Sequence, residues 1–327
     1  MTSKRHLTLI LNPKSGTLSK KGVDKWVARH LRRHGYDVRV EFTKAPGHAT
    51  ELAREAVERG DYGVLACGGD GTVNEVATGL IGTATALGII PAGSGNGLAR
   101  HIGIPVDVKQ SMRVILADNP QACDYGTVNG RPFFCTFGMG FDAAVSKAFS
   151  RKHRRGLNSY ISSALDEFVK YKPDTYTITV GDETITERAF IVVVANASQY
   201  GNNAFIAPAA SIQDGQLDVT IVHDGKLLEK VWTGVEMLAG AIGNHGKIQT
   251  MRTNRLKITR KSDTVAHIDG EPVNMPMELD VECHPGRLNV FVPRHSIRMI
   301  PVLTPLWLTI SEWALVLTRP FRSIKEE

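Results

Sequence analysis

Three glycine-rich turns contain the polar residues whose types and spacing are best suited to chemistry. Each follows a predicted β-strand: Asn12-Pro13-Lys14-Ser15-Gly16, Gly68-Gly69-Asp70-Gly71-Thr72 and Gly93-Ser94-Gly95-Asn96-Gly97. Glycines let backbone N–H groups approach an anion closely, and the N-terminus of a following helix adds a favourable dipole. Because strand-to-helix loops of a parallel sheet open on one edge, we predict that the three turns together bind phosphate.

Asp70 is the most informative residue of these turns. A carboxylate between glycines could bind Mg²⁺ or accept a proton from a substrate hydroxyl. The structural alternative is an Asp-Gly turn selected for its backbone preferences, and the two neighbouring phosphate-like turns favour the functional interpretation. Thr72 and Glu75 have the spacing of a capping box at the start of a helix, and Glu75 is also a candidate ligand contact.

None of the three turns matches a known phosphate-loop consensus. The Walker A pattern G-x-x-x-x-G-K-[ST] is absent, and none of the turns reads G-x-G-x-x-G. Residues 138–143 match the looser form G-x-G-x-x-A, but they lie in a strand-rich part of the chain where no helix clearly follows. We therefore do not assign them as a dinucleotide-binding fingerprint.

The first third of the chain alternates strands and helices in a pattern that would position these turns. Apolar residues at helical spacing predict helices over 21–34, 48–59 and 72–80. Short apolar strands separate the helices, which predicts a mostly parallel sheet covered on both faces. This first α/β domain is expected to span residues 1–122.

The middle of the chain has a different pattern. Short strands separated by turn residues fill 123–292, with helices predicted near 160–171 and 227–242. This pattern is typical of an antiparallel β-sandwich. We therefore predict an α/β domain followed by an all-β domain.

Composition is that of a globular protein with a mildly basic surface. The 327 residues are 42% hydrophobic and 22% charged, with a net charge of +6, which excludes a disordered, collagen-like or multi-span membrane chain. The charge fits a nucleotide, nucleic acid or anionic lipid without choosing among them.

The four cysteines form no C-x-x-C pair, so we expect buried thiols in a reducing cytoplasm. The apolar run at 7–11 is too short for a signal peptide and predicts a first strand.

The C-terminal segment is unusually apolar. Its proline-free helical part, 306–318, is shorter than the roughly 20 residues that span a bilayer. Trp307 and Trp313, followed by Arg319 and Arg322, suit a membrane interface. The alternative is a helix docked on its own domain or on a second copy in a homodimer.

The ordered motifs resemble the diacylglycerol kinase catalytic-domain family, which includes bacterial lipid kinases, sphingosine kinases and ceramide kinases. The resemblance rests on residues 12–16, 43–49, 68–76, 91–100 and 269–272, and it covers roughly residues 5–300. It implies an ATP-dependent lipid kinase with a phosphofructokinase- or NAD-kinase-like α/β domain, a C-terminal β-sandwich domain and a cleft between them. It also implies that a strand near 297–302 returns to the first domain, so that 293–327 forms that strand and the apolar helix.

The resemblance also implies roles for individual residues. Asp70 is the first candidate for the base or metal ligand, and Glu271 is the competing base. Nucleotide contacts are implied for Asn12, Pro13, Lys14, Ser15, Gly16, Thr43, His48, Gly68, Gly69, Gly71, Thr72, Glu75, Gly93, Ser94, Gly95, Asn96, Asp269 and Gly270. Lipid or phosphate contacts are implied for Asp142, Arg154 and Arg155, and Mg²⁺ contacts for Asp124 and Asp214. The structural alternatives are a hairpin turn at 269–271, a solvated basic surface at 151–155 and a plain turn at 214–215.

Several functions stay open at this point. The Ser94–Ala99 loop is closer to sphingosine-kinase-like members than to the G-T-G-N-D form of bacterial diacylglycerol kinases, which favours a sphingoid base without settling the acceptor. One alternative is an NAD kinase, because NAD kinases share the GGDGT motif. A second alternative is a non-catalytic protein that binds lipid or nucleotide, but such a regulator would have little need of both Asp70 and Glu271. Nucleic-acid binding is not expected, because no basic-aromatic motif is present. A lipid kinase would act as a peripheral protein at the inner face of the membrane.

Overall fold

The computed structural model describes residues 5–13, 22–151, 163–164, 166–168, 170–242 and 246–294. The first domain contains four parallel strands in the order β4-β3-β1-β2. These strands are β1 (His6–Leu11), β2 (Asp37–Phe42), β3 (Gly63–Gly68) and β4 (Ala86–Pro91). Five helices accompany them: α1 (Val23–Arg33), α2 (His48–Glu58), α3 (Asp70–Leu80), α4 (Gly97–His101) and α5 (Val108–Leu116).

Both faces of this sheet are buried, as the continuous apolar strands predict. Strand β1 shows the alternation, because Leu9 packs with α1 and α5 on one face while Ile10 packs with α2 and α3 on the other. The helix α1 ends at Arg33, and Gly35 follows in the left-handed conformation (φ 91°) that glycine adopts without strain. The predicted α/β layer is confirmed.

The remaining strands form an antiparallel domain. They are β5 (Pro120–Val128), β6 (Arg131–Phe133), β7 (Thr136–Gly140), β8 (Asp174–Val180), β9 (Glu183–Ala195), β10 (Leu217–His223), β11 (Ile248–Thr253), β12 (Arg255–Arg260), β13 (Thr264–Ile268), β14 (Glu271–Met275) and β15 (Glu278–Phe291). The strand order is β14-β13-β7-β9-β8-β12-β15, with β10 between β9 and β11. Strand β9 buries Val192 and Val194 in one apolar cluster and Ile191 and Val193 in another, so both of its faces are covered.

Strand β15 joins the two parts of the molecule. It pairs with β12 and β5, and its far end lies parallel to β4 through Val290 and Leu87. The sequence predicts short strands in this region, but β15 is one long strand with a bulge between His284 and Leu288, where Gly286 has a positive φ. The return to the first domain is therefore made within β15, while the strand expected near 297–302 and the apolar tail lie outside the described residues.

Two helices differ from the expectations. Helix α6 (Phe141–Ser150) directly follows β7. The expectation that no helix follows the glycines of residues 138–143 is therefore wrong. Helix α7 (Leu227–Ala239) ends slightly earlier than predicted, with Gly240 as its C-cap. All four cysteines are buried free thiols, as expected, and burial raises the pKa of Cys123 and Cys283 to about 12. Within the described part of the chain, no helix has both the length and the apolar character needed to cross a membrane.

Candidate active site

The three glycine-rich turns converge at the carboxyl edge of the parallel sheet. The amide of Asn12 donates to Cys67, and the amide of Ala92 donates to Gly68, so the ends of β1, β3 and β4 lie side by side. The backbones of the second and third turns pack closely, because a methyl group placed on Gly93 would lie 2.4 Å from the Cα of Gly69. The convergence is as predicted, although Lys14, Ser15 and Gly16 lie outside the described residues.

Asp70 stands at this contact, in the first turn of α3. Its two carboxylate oxygens accept hydrogen bonds from the backbone amides of Asn96 (2.9 Å) and Gly97 (2.6 Å). Asn96 can present its amide because it adopts a left-handed conformation (φ 54°), and its side chain bonds both the amide and the carbonyl of Gly93. The third turn therefore holds the carboxylate of the second.

Burial of the Asp70 carboxyl raises its pKa from the usual 3.8 to about 6. The two backbone donors act in the opposite direction, since they stabilise the charged form, and the nearby carboxylate of Asp269 adds to the increase. A group with this pKa is mostly ionised at pH 7 and still basic enough to take a proton. The electrostatics therefore suit a general base.

The second domain reaches this site through the turn between β13 and β14. Glu271 is exposed, and its Oε1 would lie 3.7 Å from a methyl group placed on Gly71. Asp269 accepts four hydrogen bonds: from the amides of Phe134, Cys135 and Thr136 and from the side chain of Asn74. Asp269 thus joins the turn to β7 and α3, a structural task that the sequence did not reveal.

The predicted capping box is wrong. Helix α3 begins at Asp70, two residues before Thr72, and Gly69 is its N-cap. The carboxylate of Glu75 instead accepts hydrogen bonds from the amides of Gly47 (2.9 Å) and Ala49 (3.1 Å) at the start of α2. Glu75 therefore ties α2 to α3 and shapes the segment before His48.

The segment 43–48 lies next to the first turn. The amide of Thr43 donates to Leu11, and Nδ1 of His48 accepts from the amide of Lys44. The side chain of Asn12 donates to Thr72, at 3.3 Å. These contacts place the predicted nucleotide-binding residues of β1, β2 and α3 around one end of the sheet, and their roles as ligand contacts stay predictions.

The two residues predicted to bind metal have protein partners. The Asp124 oxygens accept from the amides of Gly215 and Gly286, each at 2.7 Å. Asp214 forms an ion pair with Arg252. In the described residues, no three His, Cys, Asp or Glu side chains converge to hold a metal ion. The metal role of Asp124 and Asp214 stays a prediction.

Asp142 lies at the start of α6 and is buried, with hydrogen-bond partners on Ala143, Tyr200 and His267. Arg154 and Arg155 lie outside the described residues. Sequence reasoning missed the Tyr200 and His267 partners, as well as Asn74. A signal for the 200–203 loop exists in its Gly-Asn-Asn run, because Asn and Gly tolerate positive φ and all three residues adopt it.

Comparison with known proteins agrees with this site. Residues 6–128 match the family model described as the diacylglycerol kinase catalytic domain, and residues 136–292 match the one described as the YegS C-terminal NAD kinase beta sandwich-like domain. A protein named "Probable lipid kinase YegS-like" from Chromohalobacter salexigens is 30% identical over 81% of this chain and 86% of its own length. The protein named "Diacylglycerol kinase" from Bacillus subtilis is 28% identical over 80% of this chain and 88% of its own length.

A solved structure has the same fold. The crystal structure of a diacylglycerol kinase from Bacillus anthracis superposes with a TM-score of 0.70 at 20% identity, covering 91% of this chain and all of that one. The α/β domain with converging glycine turns and the attached β-sandwich thus have the fold of that diacylglycerol kinase structure. The chain belongs to the diacylglycerol kinase catalytic-domain family.

Proposed function

We propose that this protein transfers the γ-phosphoryl group of ATP to the hydroxyl of a membrane lipid, diacylglycerol or a related lipid alcohol such as a sphingoid base. The single observation that carries the proposal is the placement of Asp70. Its carboxylate lies where two glycine turns meet, is held by the amides of Asn96 and Gly97, and has a pKa of about 6. Family membership supplies the use of ATP and the lipid class of the acceptor.

In the proposed reaction, Asp70 is the general base. The acceptor oxygen forms a bond to the γ-phosphorus as the bond to the bridging oxygen of ADP breaks, and the hydroxyl proton passes to the Asp70 carboxylate. Backbone amides of the glycine turns bind the phosphates and stabilise charge as it develops. Glu271 approaches the same first turn of α3 from the second domain, where it stays the competing base.

A Mg²⁺ ion would neutralise phosphate charge in such a reaction. It would be held by phosphate oxygens of the nucleotide, by water and by one or two carboxylates, for which Asp70, Asp124 and Asp214 are the candidates. The acceptor would come from a membrane surface, which makes the protein peripheral at the inner face of the membrane.

The acceptor class is tested by transfer of labelled phosphate from ATP. We expect label on at least one of diacylglycerol, monoacylglycerol, a sphingoid base, ceramide or undecaprenol presented in detergent micelles, and none on NAD. NAD is the matched control, since the second domain matches a family model named for its likeness to NAD kinases. Label on NAD alone would overturn the lipid proposal in favour of an NAD kinase.

The pH dependence tests the base. Because only ionised Asp70 accepts the proton, log(kcat/KM) should be flat above pH about 6 and fall with a slope of one below it. Activity is lost on the acidic side, because lowering the pH through the pKa of Asp70 protonates its carboxylate, which can then no longer accept the hydroxyl proton. A profile that stays flat to pH 5 would contradict the assignment.

A further inference from the structure

A buried polar cluster lies at the junction of the two domains and consists of Asp142, His267 and Tyr200. Asp142 is 4% exposed and His267 is 1% exposed. One carboxylate oxygen, Oδ2 of Asp142, lies 3.0 Å from Nε2 of His267 and accepts a hydrogen bond from the Tyr200 hydroxyl at 2.9 Å. The other oxygen accepts from the amide of Ala143. Protein groups thus engage both oxygens of this carboxylate.

One arm of the cluster leads to the turn that carries Glu271. Nδ1 of His267 accepts a hydrogen bond from the amide of Gly270, so a neutral ring carries its proton on Nε2, facing Asp142. The carboxylate therefore fixes the ring, and the ring holds the amide next to Glu271. The residue before Gly270 is Asp269, which accepts from the amide of Thr136 at the start of β7 and from the side chain of Asn74.

The other arm leads to the turn that holds Asp70. The backbone of the Tyr200–Asn203 loop packs directly on the third glycine turn, since a methyl group on Gly201 would lie 2.9 Å from the carbonyl carbon of Gly95. The amide of Asn202 donates to the carbonyl of Gly95. Arg100 bonds the same carbonyl and the side chain of Asn203. The next two residues after Gly95 supply the amides that bind Asp70.

We infer that Asp142 is a positioning residue that sets the two candidate bases relative to each other, an inference that rests on the proposed kinase function. Through Tyr200 it fixes the loop behind Asp70, and through His267 it fixes the turn before Glu271. This differs from the lipid or phosphate contact that the sequence predicts for Asp142. Because Asp142 is buried, its carboxylate meets protein groups and not the acceptor, so its task is to align the two loops.

Two variants each disturb one arm of the cluster, and a third variant disturbs both. Gly138→Ala inserts a methyl group 2.2 Å from Nε2 of His267 and 2.3 Å from Oδ2 of Asp142, so it forces the pair apart without removing a polar group. Tyr200→Phe removes one arm, and His267→Gln keeps an N–H for Asp142 but loses the acceptor for Gly270. Gly234→Ala is the control, because a methyl group there, in α7, meets nothing within 4 Å.

Hydrogen–deuterium exchange and steady-state kinetics measure the outcome. Exchange should increase at 93–97 in Tyr200→Phe, at 269–271 in His267→Gln and at both in Gly138→Ala. In Gly138→Ala, kcat should fall about 10- to 100-fold with the lipid KM unchanged, because reacting groups are displaced while binding is kept. Gly234→Ala should match the native protein in both measurements.

Each contrary result has a distinct meaning. Exchange changes confined to 136–143 and 264–268 with native kcat would make the cluster merely structural and overturn the inference. A raised lipid KM with native kcat would restore Asp142 as a substrate contact. If the native protein transfers phosphate to no lipid, the proposed function fails, and the exchange pattern still decides whether the cluster couples the two loops.

Discussion

Asp70→Asn is expected to lower kcat by about 10²–10⁴-fold, the contribution typical of a general base, while the protein still binds ATP. Asparagine has nearly the same shape, and its carbonyl oxygen can still accept from the amide of Gly97. It cannot take a proton, and its NH₂ group faces the amide of Asn96, where the carboxylate accepted a hydrogen bond. Transfer to the best acceptor measures the first effect, and calorimetric titration with ATP measures the second.

The matched control for this variant is Asp107→Asn. Asp107 caps helix α5 through the amide of Gln110, and asparagine serves as an N-cap equally well. The control should therefore keep full activity. Near-native turnover in Asp70→Asn would remove Asp70 as the base and leave Glu271 in that role.

The same variant gives a check that does not depend on activity. The pKa of Asp70 is higher in the folded chain (about 6) than its usual 3.8, so the folded state binds the proton more tightly than the unfolded state. The free energy of unfolding therefore receives a negative contribution from this group as the pH rises from about 4 to 6. Asp70→Asn should lose that contribution, which thermal unfolding curves of the two proteins at pH 4, 5, 6 and 7 would reveal.

The convergence of the glycine turns was predictable because it follows from the geometry of parallel sheets. Each strand of an alternating β/α pattern ends at the same edge, so the turns after β1, β3 and β4 must meet there. The position of Asp70 in the site therefore needed no tertiary information.

The partners of individual side chains were not predictable, because they are set by distant segments. Thr72 and Glu75 have the local spacing of a capping box, yet α3 begins at Asp70 and Glu75 binds the start of α2, 26 residues away. The Asp142–His267 contact joins residues 125 apart. Local spacing describes what a helix could do by itself, whereas packing of the sheet and the second domain decides which donors reach a carboxylate.

The partners of Asp269 were not predictable for the same reason, because they come from distant segments of the chain. Its Asp-Gly-Glu sequence fits a hairpin turn, and the structure does form one between β13 and β14. What the pattern could not show is that the carboxylate turns inward to four donors: three amides at and just before the start of β7, and the side chain of Asn74 on α3. Within 269–271, Asp269 thus has a structural task, whereas the side chain of Glu271 lies close to Gly71 at the start of α3, and its catalytic role stays a prediction.

Asp269→Ala is expected to destabilise the protein by about 3–5 kcal/mol, because it leaves several buried donors without an acceptor. The amides of Phe134, Cys135 and Thr136 belong to residues that are almost fully buried, so water cannot readily replace the carboxylate. Alanine would also be strained at the left-handed φ of 48° that Asp269 adopts. The thermal midpoint should fall by roughly 5–10 °C, as measured by circular dichroism.

Asp269→Asn and Asp182→Ala complete this experiment. Asparagine tolerates the same backbone conformation and keeps one acceptor oxygen, so its loss should be well below that of alanine. Asp182 is an exposed aspartate in the turn between β8 and β9, and its replacement should leave the midpoint unchanged. Because Asn74 on α3 donates to Asp269, Asp269→Ala should also reduce kcat in the protein that stays folded. A midpoint equal to that of the native protein would contradict this expectation and would mean that these four donors find other acceptors.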